Sequence, residues 1–169
     1  MLKHNPIPFS TRLKELLFDY FLILAYLACL TLLCLSFYFL VFGEILVFTA
    51  LQSQLIATFT SVLPMIVIFS WMDGQGGSWG KKKVGLRVVY QKSPFSSALI
   101  RNSIKFLPWQ LGHMGTISGI YSNYTSLFGH ICTGLSLLLL CILLLMALFR
   151  KDKRHLGDLL AGSQVQLVS

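Results

Sequence analysis

The stretch YFLILAYLACLTLLCLSFYFLVF, residues 20–42, decides the class of this protein because it holds 23 consecutive residues without a charge. An α-helix rises about 1.5 Å per residue, so a helix of this length exceeds the roughly 30 Å hydrocarbon core of a bilayer. The apolar pattern begins slightly earlier, near Leu16, and includes Asp19. The stretch therefore predicts a membrane-spanning helix over residues 16–42.

The composition of the whole chain agrees with lipid as its solvent. Apolar residues make up 55% of the 169 residues and charged residues only 12%. Soluble domains carry about a quarter of their residues as charges, so a soluble globule is excluded. The net charge of +8 comes from Lys and Arg clusters beside the apolar runs, where basic residues face anionic lipid headgroups. We expect the bilayer, and no nucleic acid, as the partner of these clusters.

The apolar runs and the basic clusters together predict an all-α integral membrane protein. We expect a four-helix transmembrane bundle with a small cytoplasmic β element, all in one domain. Long uncharged runs mark the helices, and a Gly- and Lys-rich segment separates the second from the third. The predicted segments are spans at 16–42, 45–72, 106–121 and 127–149, a cytoplasmic loop at 73–105 and a cytoplasmic tail at 150–169.

Residues 106–121 are the weakest of the four spans, because they are only moderately apolar and contain Pro108. If they cross the bilayer, all 14 Lys and Arg residues lie on one side of the membrane. The bias of basic residues toward the cytoplasm favours that arrangement. A re-entrant helix at 106–121 is the alternative. We expect four crossings in the plasma membrane, the bacterial cytoplasmic membrane, with both termini inside.

Two short segments are typical of β-strands. Residues 84–90, VGLRVVY, are rich in β-branched residues and partly alternate between apolar and polar side chains. Residues 164–168, QVQLV, have the same character near the end of the chain. Because both segments are predicted on the cytoplasmic side, we expect them to pair into a small sheet.

Charged residues near the predicted cytoplasmic boundary form the candidate site. Arg12 and Asp19 share one face of the first helix, and a carboxylate inside an apolar run requires a cation or a wet cavity. Arg154 and Asp158 lie at helical spacing in the tail, and Arg101 opens the segment before the third span. We expect these residues to form one polar network. It is either a structural anchor or a proton or cation site.

His113 lies midway through the third predicted span. An unperturbed histidine has a pKa near 6.5, which suits a proton relay. A hydrogen-bonded packing residue is the alternative interpretation. No Cys, His or acidic residues stand at metal-ligand spacing, and no nucleotide-binding or nucleophile motif is present. The sequence therefore predicts no metal, no cofactor and no enzymatic activity.

Four motifs in order resemble those of one known family. An Arg-x6-Asp pair opens the first span, a GSWGKKKVGLRVV loop covers 77–89, Arg101 follows, and RHLGDLLAGSQV covers 154–165. This order resembles the RDD family of small membrane proteins, named for one arginine and two aspartates. The resemblance places those residues at Arg12, Asp19 and Asp158. Many members have a His directly before the last Asp, where this chain has Gly157.

The resemblance implies a plasma-membrane protein, and some members look like monovalent cation/proton antiporters. Our first functional hypothesis is therefore an exchanger in which Asp19 binds a proton or a monovalent cation alternately and Arg12 tunes it. Four short spans enclose little volume, so we expect a homo-oligomer in that case. The alternative is a non-transporting membrane scaffold or assembly factor, in which the charged network holds the fold together.

Overall fold

The computed structural model describes residues 7–44 and 46–168, and most of them are helical. Within these described residues, three stretches are long and apolar enough to cross a membrane: Phe9–Phe42, Ala50–Lys83 and Leu127–Phe149. The elements, in chain order, are α1 (Phe9–Phe42), α2 (Ala50–Ala57), a π-helical turn (Thr58–Val62), α3 (Leu63–Gly74), α4 (Trp79–Lys83), β1 (Leu86–Tyr90), α5 (Pro94–Tyr121), α6 (Leu127–Phe149), α7 (Leu156–Ala161) and β2 (Ser163–Leu167).

The connection between the first two apolar helices is longer than the predicted two-residue turn at Gly43 and Glu44. Helix α1 ends where Gly43 adopts a left-handed φ of 74°, which is the common helix stop. Helix α2 begins at Ala50, because Thr49 caps it by accepting a hydrogen bond from the Gln52 amide at 3.3 Å. The predicted start of the second span, residue 45, lies outside the described residues.

The second apolar stretch is irregular just before Pro64. A proline has no N–H, so the carbonyl of Thr60, one turn earlier, loses its helical partner. The backbone widens into the π-helical turn just before Pro64, and the hydroxyl of Tyr26 in α1 donates to the Thr60 carbonyl at 2.5 Å. The distorted turn is therefore held by a side chain from the neighbouring helix.

Helix α5 is continuous from Pro94 to Tyr121 and contains the segment predicted as the weakest span. It starts 12 residues before the predicted boundary, because 94–105 continue the same helix. It packs closely on α6 through small residues: a Cβ on Gly115 would lie 2.3 Å from Oγ1 of Thr133. Close approach through glycines is a common way for membrane helices to associate.

The two predicted strands pair, although each is shifted from its predicted bounds. Strand β1 runs antiparallel to β2, with Val88 opposite Val165. Their apolar side chains pack with Ile7 and Leu86 into a small core beside the helix ends. Two short helices flank the sheet, and α4 was predicted as loop.

Candidate functional site

Lys81 lies at the centre of a buried group of charges. Its side chain is fully buried on the short helix α4, and its ammonium contacts three carboxylates. Nζ lies 3.0 Å from Oε1 of Glu15, 3.4 Å from Oδ1 of Asp73 and 3.5 Å from Oδ2 of Asp19. It also donates to the hydroxyl of Ser78 at 2.9 Å. One cation thus joins α1, α3 and α4.

The turn before α4 brings Lys81 to this position. Gly77 has a φ of 152°, a conformation that a residue with a side chain rarely adopts, and the Ser78 amide then donates to Oδ1 of Asp73 at 3.0 Å. Gly80 lies directly against α1, where a Cβ would be 2.5 Å from the Glu15 carbonyl. The glycine-rich loop therefore folds back onto the first helix.

Asp19 is 3% exposed, and both of its carboxylate oxygens accept a hydrogen bond. Oδ2 accepts from the Ser78 hydroxyl at 2.7 Å and Oδ1 from the Gly80 amide at 2.9 Å. Its cationic neighbours are Lys81 and, at 3.7 Å, Lys105 of α5. The carboxylate is therefore the docking point for the loop that carries α4.

Arg12 and Asp19, which share a helix face, do not contact each other directly. Seven residues separate them, which places them about 10 Å apart along the helix axis, whereas Glu15 is one turn away. Arg12 bonds Oε2 of Glu15 at 2.5 Å and the Lys153 carbonyl at 3.0 Å. Arg12 thus fastens the tail to α1, and it reaches Asp19 only through Glu15 and Lys81.

Arg101 of α5 bridges the remaining two carboxylates. Its Nη1 bonds Oδ2 of Asp73, and its Nε donates to Oδ1 of Asp158 at 2.6 Å. Asn102 adds a hydrogen bond to Asp73 at 3.2 Å. All of these side chains are at most 2% exposed. Arg101 therefore connects the loop side of the site to the tail.

Asp158 closes the network in helix α7. Its Oδ1 also accepts from the Ser163 hydroxyl at 2.8 Å, and Oδ2 lies 3.3 Å from Nε2 of His155. Burial alone would raise the pKa of this carboxyl, but the Arg101 guanidinium holds it well below its usual range. Burial lowers the pKa of His155 to about 4, against the opposing pull of Asp158. At neutral pH the pair is therefore a carboxylate beside a neutral imidazole.

The Arg154 side chain binds backbone carbonyls of the tail. It donates to the Ser163 carbonyl at 2.9 Å and to the Asp158 carbonyl at 3.0 Å, and leaves the Asp158 carboxylate to Arg101. Gly157 is needed where it stands, because a Cβ there would lie 2.7 Å from the Arg101 carbonyl. These contacts seat α7 and β2 against α5.

We call this group the charge cluster, and it holds equal numbers of opposite charges. Four cations and four carboxylates form one connected set across five helices: Arg12, Lys81, Arg101 and Lys105 with Glu15, Asp19, Asp73 and Asp158.

Comparison with known proteins identifies the family of this sequence. The sequence model of the RDD family matches residues 8–162, which is almost the whole chain. The chain belongs to the RDD family. It is thus a membrane protein with apolar spanning helices. No curated protein and no solved structure matches it.

The RDD residues named at the sequence level, Arg12, Asp19 and Asp158, all lie in the charge cluster. None of the three contacts another directly. Glu15, Asp73 and Lys81 connect them, and sequence reasoning missed these three. The chain has only six acidic residues, so any acid beside a span is a signal worth following. Lys81 is hidden in a run of three lysines of which the other two are exposed.

His113 lies outside the charge cluster. Its Nε2 is 3.1 Å from the Ser61 hydroxyl, and its ring stacks on Trp109 with centroids 5.9 Å apart. The neighbouring pair Thr58 and Gln110 makes a second hydrogen bond between the π-helical turn and α5, at 3.0 Å. This position fits the packing interpretation of His113, because the described residues provide no hydrogen-bonded chain from it to Asp19.

No three His, Cys, Asp or Glu side chains gather as metal ligands within the described residues. The carboxylates of the charge cluster face ammonium and guanidinium groups. What the arrangement can do is hold α1, α3, α4, α5 and α7 together through charge-assisted hydrogen bonds.

Proposed function

We propose that this RDD protein crosses the plasma membrane four times, with both termini and the charge cluster on the cytoplasmic side. Support comes from α5, in which 20 residues separate Arg101 in the charge cluster from Tyr121. At about 1.5 Å per residue this equals a bilayer core of about 30 Å. The Tyr121 hydroxyl lies 2.9 Å from Ser53, near the start of α2, at the end opposite the charge cluster. A re-entrant helix would instead return to the side it started from.

Within that topology the best-supported function is a non-transporting, non-enzymatic membrane scaffold or assembly factor. The main support for this function is that every carboxylate of the charge cluster already has a Lys or Arg within 4 Å. A cation exchanger needs a carboxylate that can release its partner and bind an ion. Here the partners are Lys and Arg side chains of the same polypeptide, which cannot diffuse away as an ion does. The ion pairs hold the loop and the tail to the spans.

A second candidate is monovalent cation/proton exchange at Asp19, with a homo-oligomer enclosing the path. One observation favours it. Asp19 lines a crevice between α1, α5 and α6, and its contact with Lys105 is 3.7 Å long, beyond hydrogen-bond distance. If Lys105 moved away, Oδ2 would keep Ser78 and Lys81 as partners but would lose the cation that lines the crevice. A proton and a cation competing for one carboxylate would then couple the two flows.

Flux and stability of Asp19→Asn separate these two functions. Proteoliposomes are given imposed Na⁺, K⁺ and proton gradients, and thermal unfolding is followed in detergent. The scaffold predicts no flux in the wild type and a lower melting temperature in the variant, because Lys81 loses one of its carboxylates. Glu44→Gln, an exposed acid at the opposite end, is the matched control and should leave both unchanged. Wild-type flux that Asp19→Asn abolishes would establish the exchanger.

A further inference from the structure

An apolar crevice opens beside the charge cluster. Its volume is about 530 Å³, within the range of roughly 300–1,000 Å³ typical of small-ligand sites. Leu17 and Ile23 of α1, Trp109 of α5, and Leu140 and Leu144 of α6 form its walls. Charged residues form one end, and nearly all of the remaining surface is hydrocarbon. The crevice thus has the two-part chemistry of an amphiphile.

Lys105 stands where the charged and apolar parts meet. Its side chain is 21% exposed, and its ammonium lies 4.3 Å from the centre of the Phe69 ring. The ion pair with Asp19, at 3.7 Å, is too long for a hydrogen bond. Among the described residues, no oxygen accepts a hydrogen bond from this ammonium. Lys105 lines the crevice, and its ammonium is held by one long ion pair and by ring contacts with Phe69 and Phe106.

The charges that line the crevice favour an anionic group. They comprise three cations, Arg12, Arg101 and Lys105, and two carboxylates, Glu15 and Asp19. Both carboxylates already contact Lys81, which does not line the crevice. The other two cations are also paired, Arg12 with Glu15 and Arg101 with Asp73 and Asp158. Lys105, at 21% exposure against at most 4% for the other four side chains, is therefore the accessible charge at this end.

We propose that the crevice binds one anionic phospholipid, with an acyl chain between α1 and α6 and the phosphate on the Lys105 ammonium. The volume of the crevice favours an acyl chain over a helix from a second copy of the protein. Two turns of a helix about 10 Å wide already have a larger volume than the crevice. The site is independent of whether the protein transports ions.

Lipid with bromine on its acyl chains tests this site, because bromine quenches tryptophan only at contact. The protein has three tryptophans. Replacing Trp71 and Trp79, both partly exposed outside the crevice, by Phe leaves Trp109 as the reporter. The variant is reconstituted into phosphatidylcholine vesicles containing brominated phosphatidylglycerol or brominated phosphatidylcholine. Half-maximal quenching should need about fivefold less of the anionic lipid, the ratio for roughly 1 kcal/mol per basic group.

Three further variants assign the preference to the crevice. Lys105→Gln should reduce the ratio to about one, Lys105→Arg should keep it, and Lys82→Gln, an exposed lysine outside the crevice, should leave it unchanged. If Lys105→Gln fails to fold, Leu144→Phe, which fills the slot, should lower the ratio instead.

Equal quenching by the two lipids in the otherwise unaltered protein would overturn the proposal. So would a preference that survives both Lys105→Gln and Leu144→Phe. Absence of quenching by either lipid, with a cross-linked dimer on gels, would mean that a second copy covers Trp109, and that too would overturn it.

Discussion

Single residues in the charge cluster differ sharply in how many partners depend on them. Lys81 neutralises three carboxylates and is fully buried, whereas Lys82 and Lys83 beside it are exposed. Breaking a buried pair leaves the other charge without a partner, which costs more than the pair contributed. The most sensitive position is therefore a lysine that looks like one of a solvent-facing run.

Lys81→Met should destabilise the protein by roughly 3–5 kcal/mol, the usual effect of removing one partner of a buried ion pair. Three carboxylates would lose their shared cation while Met keeps a similar length. Unfolding in mixed micelles with increasing denaturing detergent measures the change. Lys82→Met is the matched control and should shift stability by less than about 0.5 kcal/mol. Similar stability of both variants would contradict the central role of Lys81.

His155 should make stability depend on pH. Its pKa falls from 6.5 to about 4 in the folded protein, because burial disfavours the imidazolium. Between these pH values the unfolded chain binds a proton that the folded chain does not, so stability decreases as the pH falls from 6.5 to 4. The loss amounts to roughly 3 kcal/mol at about 1.4 kcal/mol per pKa unit.

The measurement for His155 is the melting temperature in detergent from pH 7.5 to 4.5. His155→Gln should flatten the curve over that window, and the wild type should be less stable at its acidic end. The depressed pKa of Asp158 acts in the same direction only below its ordinary value of 3.8, outside this window. An equally steep curve in the variant would assign the dependence to other groups.

At the level of elements, helix α4 is held by close backbone approach as much as by charge. It has only five residues, too few to be stable alone, and it rests on α1 through Gly80. The Gly80 amide donates to Asp19, so the contact supplies both space and a hydrogen bond. A side chain at this position would separate the two helices.

Gly80→Ala should therefore destabilise the protein by about 1–3 kcal/mol, the usual range for overpacking. The added Cβ would lie 2.5 Å from the Glu15 carbonyl and 2.6 Å from the Asp19 carboxylate. Gly134→Ala in α6 is the matched control, because nothing lies within 4 Å of its Cβ. Thermal unfolding of both variants gives the comparison. A Gly80→Ala protein as stable as Gly134→Ala would show that α4 can move away without cost.

For the whole molecule, the charge cluster gathers basic and acidic groups at one end of the bundle, and the opposite end carries few charges. The exposed 122–126 turn between α5 and α6 lies at that opposite end and has no charged residue. A one-sided distribution of Lys and Arg orients membrane proteins with that side in the cytoplasm. The orientation of the four proposed spans follows from this asymmetry.

Reporter fusions measure this topology. An enzyme active only outside the cytoplasm should give no signal at the C-terminus and a clear signal when inserted within residues 122–126. A reporter active only inside the cell should give the reverse pattern. Signals of the same kind at both positions would mean that α5 and α6 do not cross in opposite directions, and would contradict the four-span arrangement.

The order of residues along the chain was enough to predict the membrane class, the first, second and last apolar helices, the two short strands and the family. Each of these depends on local pattern: uncharged length for the helices, β-branched residues for the strands, and motifs in a given order. Even the distortion before Pro64 follows locally, because a missing N–H affects the carbonyl one turn earlier.

The pairing of the charges, in contrast, became apparent only in the folded protein. Arg12 and Asp19 share a helix face, but the folding of a glycine-rich loop onto α1 supplies Asp19 with Lys81, and the packing of α5 supplies Asp73 and Asp158 with Arg101. Lys81 is 62 residues from Asp19 along the chain. Arg101 is 57 residues from Asp158 and 28 residues from Asp73. Ion pairing depends on distance in space, which the spacing along one helix does not determine once other elements bring nearer charges.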